Sequence, residues 1–210
     1  DAPNVARSQK PGEFVMANCG KASDPLLRRA ISVHRYGQAM LSSDPKFSSS
    51  NWITPTSIAL LFNANGLART WLGQREVGDK INMLGPLGKG YEIEPSSRHL
   101  VMGGGGTGLA PLIALADQAI ASGQTVTMIS AAKTAAQLYP KDWAPNKVEF
   151  VEVTEDGSSG EKGLITDCLP KHVHDADQTF FCGPVPMYRA ISDTWKTHGI
   201  SVPTQVLLEV

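Results

Sequence analysis

His99-Leu100-Val101-Met102-Gly103-Gly104-Gly105-Gly106-Thr107-Gly108-Leu109-Ala110-Pro111 is the stretch that decides the fold. A short apolar run, four consecutive glycines and a helical stretch to Ser122 read as strand, tight turn and helix. That order opens a parallel sheet with helical crossovers. The first N–H groups of a helix lack intrahelical partners and carry partial positive charge, so they attract phosphate. Glycine has no Cβ, so the backbone can come close to a pyrophosphate. Pro111 falls in the first helical turn, where its missing N–H costs little. The spacing is not the strict GxGxxG fingerprint. At the end of the next strand, Ser130-Ala131-Ala132-Lys133 offers no carboxylate for a ribose 2′-OH. An ordinary Rossmann dehydrogenase is therefore disfavoured, and the glycine run alone fits either a phosphate cradle or a ligand-free turn.

Toward the C-terminus the alternation continues. Strands are expected at Thr125 to Ser130, Lys147 to Thr154, Gln178 to Cys182 and Thr204 to Val210. Helices are expected near Thr134 to Tyr139 and from Pro184 to His198. Phe180-Phe181-Cys182-Gly183-Pro184-Val185-Pro186-Met187 ends a buried strand and starts a helix, at the sheet edge where open α/β folds bind ligands. Cys182 there is either a wall of a ligand crevice or a buried structural cysteine.

Toward the N-terminus the pattern is β. Glu13 to Cys19, Ala30 to Tyr36, Ser57 to Asn63 and Ile81 to Leu84 read as strands, Gly66 to Gly73 as a short helix, and Gly37 to Thr56 as a long hairpin loop. Short strands at close spacing predict a small antiparallel barrel. Two domains follow, residues 1–95 and residues 96–210, the change of grammar falling between Glu94 and Arg98.

The chain is 41% hydrophobic and 19% charged with a formal net charge of -1, ordinary for a globular protein and no reason to expect nucleic acid or an acidic membrane surface. No secretory signal or membrane span is visible, and Cys19, Cys168 and Cys182 make no metal motif, so a reducing cytoplasm is expected. Both ends read as cut, since the last six residues form an apolar strand pattern without a polar tail.

Taken together, Pro11 to Met16, Asp24 to Arg35, Gly78-Asp79, Leu84 to Tyr91, the glycine run with Ala110-Pro111-Leu112 and Cys182 to Met187 resemble the ferredoxin–NADP reductase-like superfamily. Within it, the chain is most similar to electron-transfer subunits of heteromeric NAD-dependent dihydroorotate dehydrogenases. The resemblance implies an FAD-binding barrel followed by an NAD(P)-binding parallel sheet. It also implies a cytoplasmic flavoprotein of pyrimidine biosynthesis whose partner is an FMN-containing catalytic subunit in a hetero-oligomer. Arg29, Ala30, Ile31 and Ser32 match the segment that holds FAD, with Ala30 where the family has proline. Arginine can fork onto phosphate and a strand backbone can bond the flavin edge. Leu61, Phe62 and Asn63 match the next FAD-contacting strand, with Asn63 in place of a cation. Gly66 keeps the first glycine of a pyrophosphate turn, Ala68 and Arg69 depart from it, Thr70 falls one place late, and Arg69 could supply a phosphate-binding charge.

By the same resemblance Gly104, Gly105, Gly106, Thr107, Gly108 and Pro111 bind NAD(P)H, and Cys182, Gly183 and Pro184 shape the nicotinamide site, Cys182 being nearest to catalysis. Hydride would pass to FAD and single electrons would leave through a [2Fe–2S] centre held beyond Val210. No metal site falls within the chain itself, and early barrel strands would precede Asp1. Without an arginine cluster after Ser130, NADH is favoured over NADPH, with Lys133 keeping NADPH open. Two other readings share these motifs: a hydrogenase- or ferredoxin-linked reductase subunit, and a docking subunit that has lost tight FAD binding.

Overall fold

The computed structural model of the chain describes residues 1–7, 10–20, 27–37 and 54–208. Most of the expected loop from Gly37 to Thr56 lies outside them. Two compact units result, Asp1–Gly90 and Tyr91–Val210.

The first unit holds an antiparallel sheet of strands β1 (Phe14–Ala17), β2 (Arg29–Tyr36), β3 (Ile58–Leu60) and β4 (Met83–Leu87), in the order β3-β2-β1-β4. A short helix α1 (Pro3–Ala6) precedes it, and α2 (Gly66–Gly73) occupies the residues expected from sequence. Val15 and Ala17 on β1 and Ile31 and Val33 on β2 are buried, the alternation that a half-covered sheet requires. The β4 expectation needs correcting. The strand starts at Met83 and runs through Pro86 to Leu87 rather than ending at Leu84. Among the described residues β4 pairs only with β1, and an edge position tolerates a residue that cannot donate to a ladder. Arg28 closes the β1–β4 side: its guanidinium donates to the carbonyls of Met16 at 3.3 Å and Asn82 at 3.0 Å, and to Asn82 Oδ1 at 2.8 Å.

The second unit is a six-stranded parallel sheet in the order β10-β9-β5-β6-β7-β8. Its strands are β5 (His99–Gly105), β6 (Thr125–Ala132), β7 (Glu149–Thr154), β8 (Glu161–Lys162), β9 (Gln178–Gly183) and β10 (Thr204–Leu208). Its helices are α3 (Ala110–Ala121), α4 (Ile165–His172) and α5 (Val185–His198). On one face Val101, Ile129, Val153 and Phe181 pack with Ile165, Cys168 and Leu169 of α4 and Ile191 of α5. Strand β9 is buried along its whole length, as a central parallel strand should be.

Two expectations change here, and one helix is new. The stretch from Thr134 to Tyr139 is not an α-helix but a single 3-10 turn, Ala135–Gln137. Pro140 bars its continuation, and the Ala135 N–H is taken by Ser158 Oγ at 2.8 Å. Helix α4 was hidden by Pro170 in its interior; its start is fixed by Asp167, whose carboxylate accepts from the Leu164 N–H at 2.7 Å. The unit also begins ahead of Pro95. The Tyr91 hydroxyl donates to the Phe181 carbonyl at 3.0 Å, with its ring edge-on to Phe180. Fully buried Gln178 accepts from the Glu94 N–H and donates to the Glu92 carbonyl, both at 3.0 Å. Residues 91–97 are thereby fastened to β9.

Candidate functional site

In the second unit the glycine run straddles a strand end and a helix start. Gly104 and Gly105 finish β5, Gly106, Thr107 and Gly108 lie in a 3-10 turn ending at Leu109, and Pro111 is the second residue of α3. Strand β9 is the neighbour of β5, with Cys182 in register with Gly104. Gly183 ends that strand and Pro184 is the N-cap of α5. The residues expected around a dinucleotide in this unit are thus gathered at the C-terminal edge of two adjacent central strands. Open α/β sheets bind their ligands at this edge.

The glycines here have different jobs. A Cβ on Gly104 would lie 2.8 Å from the Cys182 carbonyl oxygen and 3.3 Å from the backbone of Gly108, so the strand, its neighbour and the turn touch only because no side chain intervenes. Gly106 has φ +52, and a Cβ there would meet nothing within 4 Å. The backbone at the mouth of the turn therefore faces open space in a conformation suited to glycine. Beside it, Ser130 Oγ, in register with Gly104, is buried without a hydrogen-bond partner. Exposed backbone next to a helix start is suited to a phosphate group.

Cys182 is 3% exposed, on the sheet face that carries Phe180. Gly183 is held from behind: its N–H donates to the Tyr188 hydroxyl at 2.7 Å, and that hydroxyl donates to the Leu207 carbonyl of β10. Cys168, the other cysteine of this unit, lies in α4 and is buried against the sheet, where burial pushes its thiol up to about 12 and its Sγ donates to the Ile165 carbonyl at 3.1 Å.

In the first unit Arg29, Ala30, Ile31 and Ser32 open β2, each paired with β1: Ala17 opposite Arg29, Met16 opposite Ala30, Val15 opposite Ile31, Phe14 opposite Ser32. Ile31 is buried, Arg29 and Ser32 are half-buried and Ala30 is exposed. The strand expected to carry Leu61, Phe62 and Asn63 ends at Leu60, so these three lie in the connection to α2 and not on a strand. Gly66, with φ +70, begins α2, and Arg69 and Thr70 follow within it. Arg69 donates to Asn65 Oδ1 at 3.4 Å and Thr70 Oγ1 to the Ala64 carbonyl at 3.3 Å. The positive fields of Arg29 and Arg69 converge on buried Cys19, where burial pushes the thiol up and both guanidinium charges oppose the rise. Arg29 on β2 and Arg69 on α2 are cations of the kind that pair with a diphosphate.

Sequence reading passed over Arg28, whose guanidinium is taken up by the carbonyls of Met16 and Asn82 while Arg29 opens β2. It also passed over the loop after β7, although the dipeptide Asp156-Gly157 marks a turn there.

Residues 102–193 match the oxidoreductase NAD-binding domain family. A dihydroorotate dehydrogenase B (NAD(+)) electron transfer subunit from Desulforamulus reducens is 34% identical over 212 residues, an alignment covering 100% of this chain and 74% of the relative. The subunit of the same description from Geobacillus thermodenitrificans is 30% identical over 199 residues, covering 91% and 70%. Among solved structures, an NADH-dependent reduced ferredoxin-NADP oxidoreductase superposes with a TM-score of 0.75 at 23% identity, over 99% of this chain and 69% of that one. The flavohem-like FAD/NAD binding domain of a Vibrio cholerae nitric oxide dioxygenase gives 0.66 at 18% identity, over 95% and 86%. The structural likenesses establish the fold: an antiparallel sheet domain with a parallel-sheet NAD-binding domain. Among the described residues no helix is long and apolar enough to cross a membrane.

Proposed function

The chain belongs to the family of dihydroorotate dehydrogenase B (NAD(+)) electron transfer subunits, oxidoreductase subunits of NAD(P)H-linked electron transfer, and from that premise we propose that it carries electrons from NADH through FAD to a separate dihydroorotate dehydrogenase catalytic subunit. The observation that carries the reading is the glycine turn with open space at Gly106, set at the C-terminal edge of β5 and β9 beside the start of α3. When bound, NADH supplies a hydride and FAD converts that two-electron delivery into single-electron steps. The protein's share is binding and orientation. In this reading Gly104 and Gly105 let the strand end and turn approach closely, Gly106, Thr107 and Gly108 present backbone to the pyrophosphate, and buried Pro111 lies in the first turn of α3 at little hydrogen-bonding cost. Cys182, Gly183 and Pro184 form a rigid wall for the nicotinamide, braced through Tyr188. Arg29 and Arg69 neutralise the FAD diphosphate, Gly66 and Thr70 shape the turn beneath it, and Ala30, Ile31 and Ser32 offer strand backbone to the isoalloxazine edge. Leu61, Phe62 and Asn63 flank it from the connection after β3. A [2Fe–2S] centre, an FMN-containing partner and a place in pyrimidine biosynthesis complete this reading.

The test is reconstitution. The full-length protein is purified, its flavin is released and identified by chromatography, and it is mixed with the catalytic subunit of a relative such as that from Geobacillus thermodenitrificans. FAD as the bound flavin, with NADH formed from NAD+ on adding dihydroorotate, supports the proposal. A flavin-free protein, or one that never couples the two substrates, overturns it.

A further inference from the structure

The end of β6 has no carboxylate, yet the fold delivers one to it from β7. Past Thr154 the chain continues alongside β6, the Glu155 N–H donating to the Ala132 carbonyl at 3.1 Å and the Asp156 N–H to the Lys133 carbonyl at 3.3 Å. Residues 155 and 156 are thus laid against the residues that follow β6, where a dinucleotide-binding sheet reads the adenosine ribose. Asp156 is also locked in direction. Its Oδ1 accepts from the Ser158 N–H at 2.9 Å and from the Ser158 hydroxyl at 2.6 Å. That same hydroxyl accepts the Ala135 N–H at 2.8 Å. The carboxylate is therefore pinned through Ser158 to the turn that succeeds Lys133, and both Ser158 bonds land on Oδ1, not Oδ2. The hydrogen bonds from Ser158, side chain first and backbone second, hold its carboxyl below the usual range, so it stays ionised.

We propose that Asp156 is the residue that makes this site prefer NADH over NADPH, accepting a hydrogen bond from the ribose 2′-OH and repelling a 2′-phosphate. The inference rests on the reading of residues 102–193 as the dinucleotide site and adds its specificity. A carboxylate pairs with a hydroxyl donor through a charge-assisted bond, while a phosphate dianion in the same place meets like charge and offers no donor. Lys133 is exposed and favours the phosphate, but its backbone is what Asp156 binds, so the carboxylate is fixed at the rim while the lysine side chain rides on a long flexible stem. The cofactor's chemistry is untouched by this residue. Its action is confined to recognition.

The test uses redox-inert halves of the cofactor on the flavin-loaded full chain. ADP-ribose and 2′-phospho-ADP-ribose are titrated calorimetrically into the wild-type protein, Asp156→Asn and Ser158→Ala, with thermal unfolding recorded for each. Asp156→Asn keeps an oxygen for Ser158 and removes only the charge. The wild type is expected to bind ADP-ribose at least about tenfold tighter than its 2′-phosphorylated form, and Asp156→Asn to shrink that ratio by roughly tenfold at an unchanged melting temperature, as befits loss of one hydrogen bond to a charged group. Ser158→Ala should shrink it by about threefold, since the carboxylate remains but is no longer aimed. An unchanged ratio in Asp156→Asn overturns the assignment, as does a wild type that prefers the 2′-phosphate. If neither ligand binds the wild type, the dinucleotide reading itself has failed. Binding of both with no dependence on Asp156 would leave that reading intact and sink only the specificity claim.

Discussion

In the second unit the groups suited to phosphate are backbone: Gly104 to Gly108 lie where a sheet edge meets a helix start, on a sheet whose one face carries the apolar cluster of Val101, Ile129 and Phe181. In the first unit the corresponding groups are side chains, Arg29 and Arg69, on a smaller sheet whose interior also holds Glu13, His34 and Arg35. Backbone sites depend on how closely segments approach one another and are destroyed by added atoms. Side-chain sites depend on charge and are weakened by removed ones. The two units should therefore fail in opposite ways, and substitutions can pull that difference apart.

The largest effect is expected from Gly104→Val. Its Cβ would already stand 2.8 Å from the Cys182 carbonyl, and backbone cannot yield as a flexible side chain does. Thermal unfolding should report a loss of about 3 kcal/mol or more, by the mechanism of overpacking, and NADH binding should disappear with it. A stable Gly104→Val that binds NADH normally would show that close approach is not what this turn requires. Arg29→Ala comes next. It should leave the fold intact and weaken FAD binding by roughly 10- to 100-fold, the scale of hydrogen bonds to charged groups, read by flavin release on dilution. Arg69→Ala, from a less confined side chain, should cost only a few-fold in the same assay.

How much of this was visible before the structure divides along the same line. The backbone-built half is written in local sequence: the apolar run, the glycines, Pro111 and the Cys-Gly-Pro turn each have a local physical meaning, and all meet at one sheet edge as expected. What escaped depended on partners distant in sequence. Helix α4 is interrupted in pattern by Pro170 and is held by a cap and by packing against Val101 and Phe181. The helix expected at Thr134 loses to a hydrogen bond that the Ala135 N–H donates to Ser158 Oγ, and the missing β6 carboxylate arrives from Asp156. In the first unit Leu61 to Asn63 read as strand by composition, yet β3 ends at Leu60 where its pairing with β2 runs out.

The buried polar interior of the first unit gives a smaller, pH-dependent difference. Burial, seconded by the charge of Arg35, holds the His34 imidazole down to about 3 from its ordinary 6.5. Because the folded value lies below the unfolded one, neutral His34 contributes fully above pH 6.5, and that contribution drains away as pH falls from 6.5 toward 3. Between pH 7 and pH 5 the loss is on the order of 2 kcal/mol, and His34→Gln should flatten that part of the stability curve in denaturant titrations. The second unit has no histidine buried to this degree among the described residues, so its melting should follow pH less steeply over the same interval.

The most direct measurement is an anaerobic mixing experiment in which the visible absorption of the purified, full-length protein is followed after NADH is added. A yellow protein whose flavin band bleaches rapidly with NADH, and at least about tenfold more slowly with NADPH at equal concentration, is the predicted result. A flavin band that persists in the presence of NADH would contradict an electron path from nicotinamide to FAD within this chain.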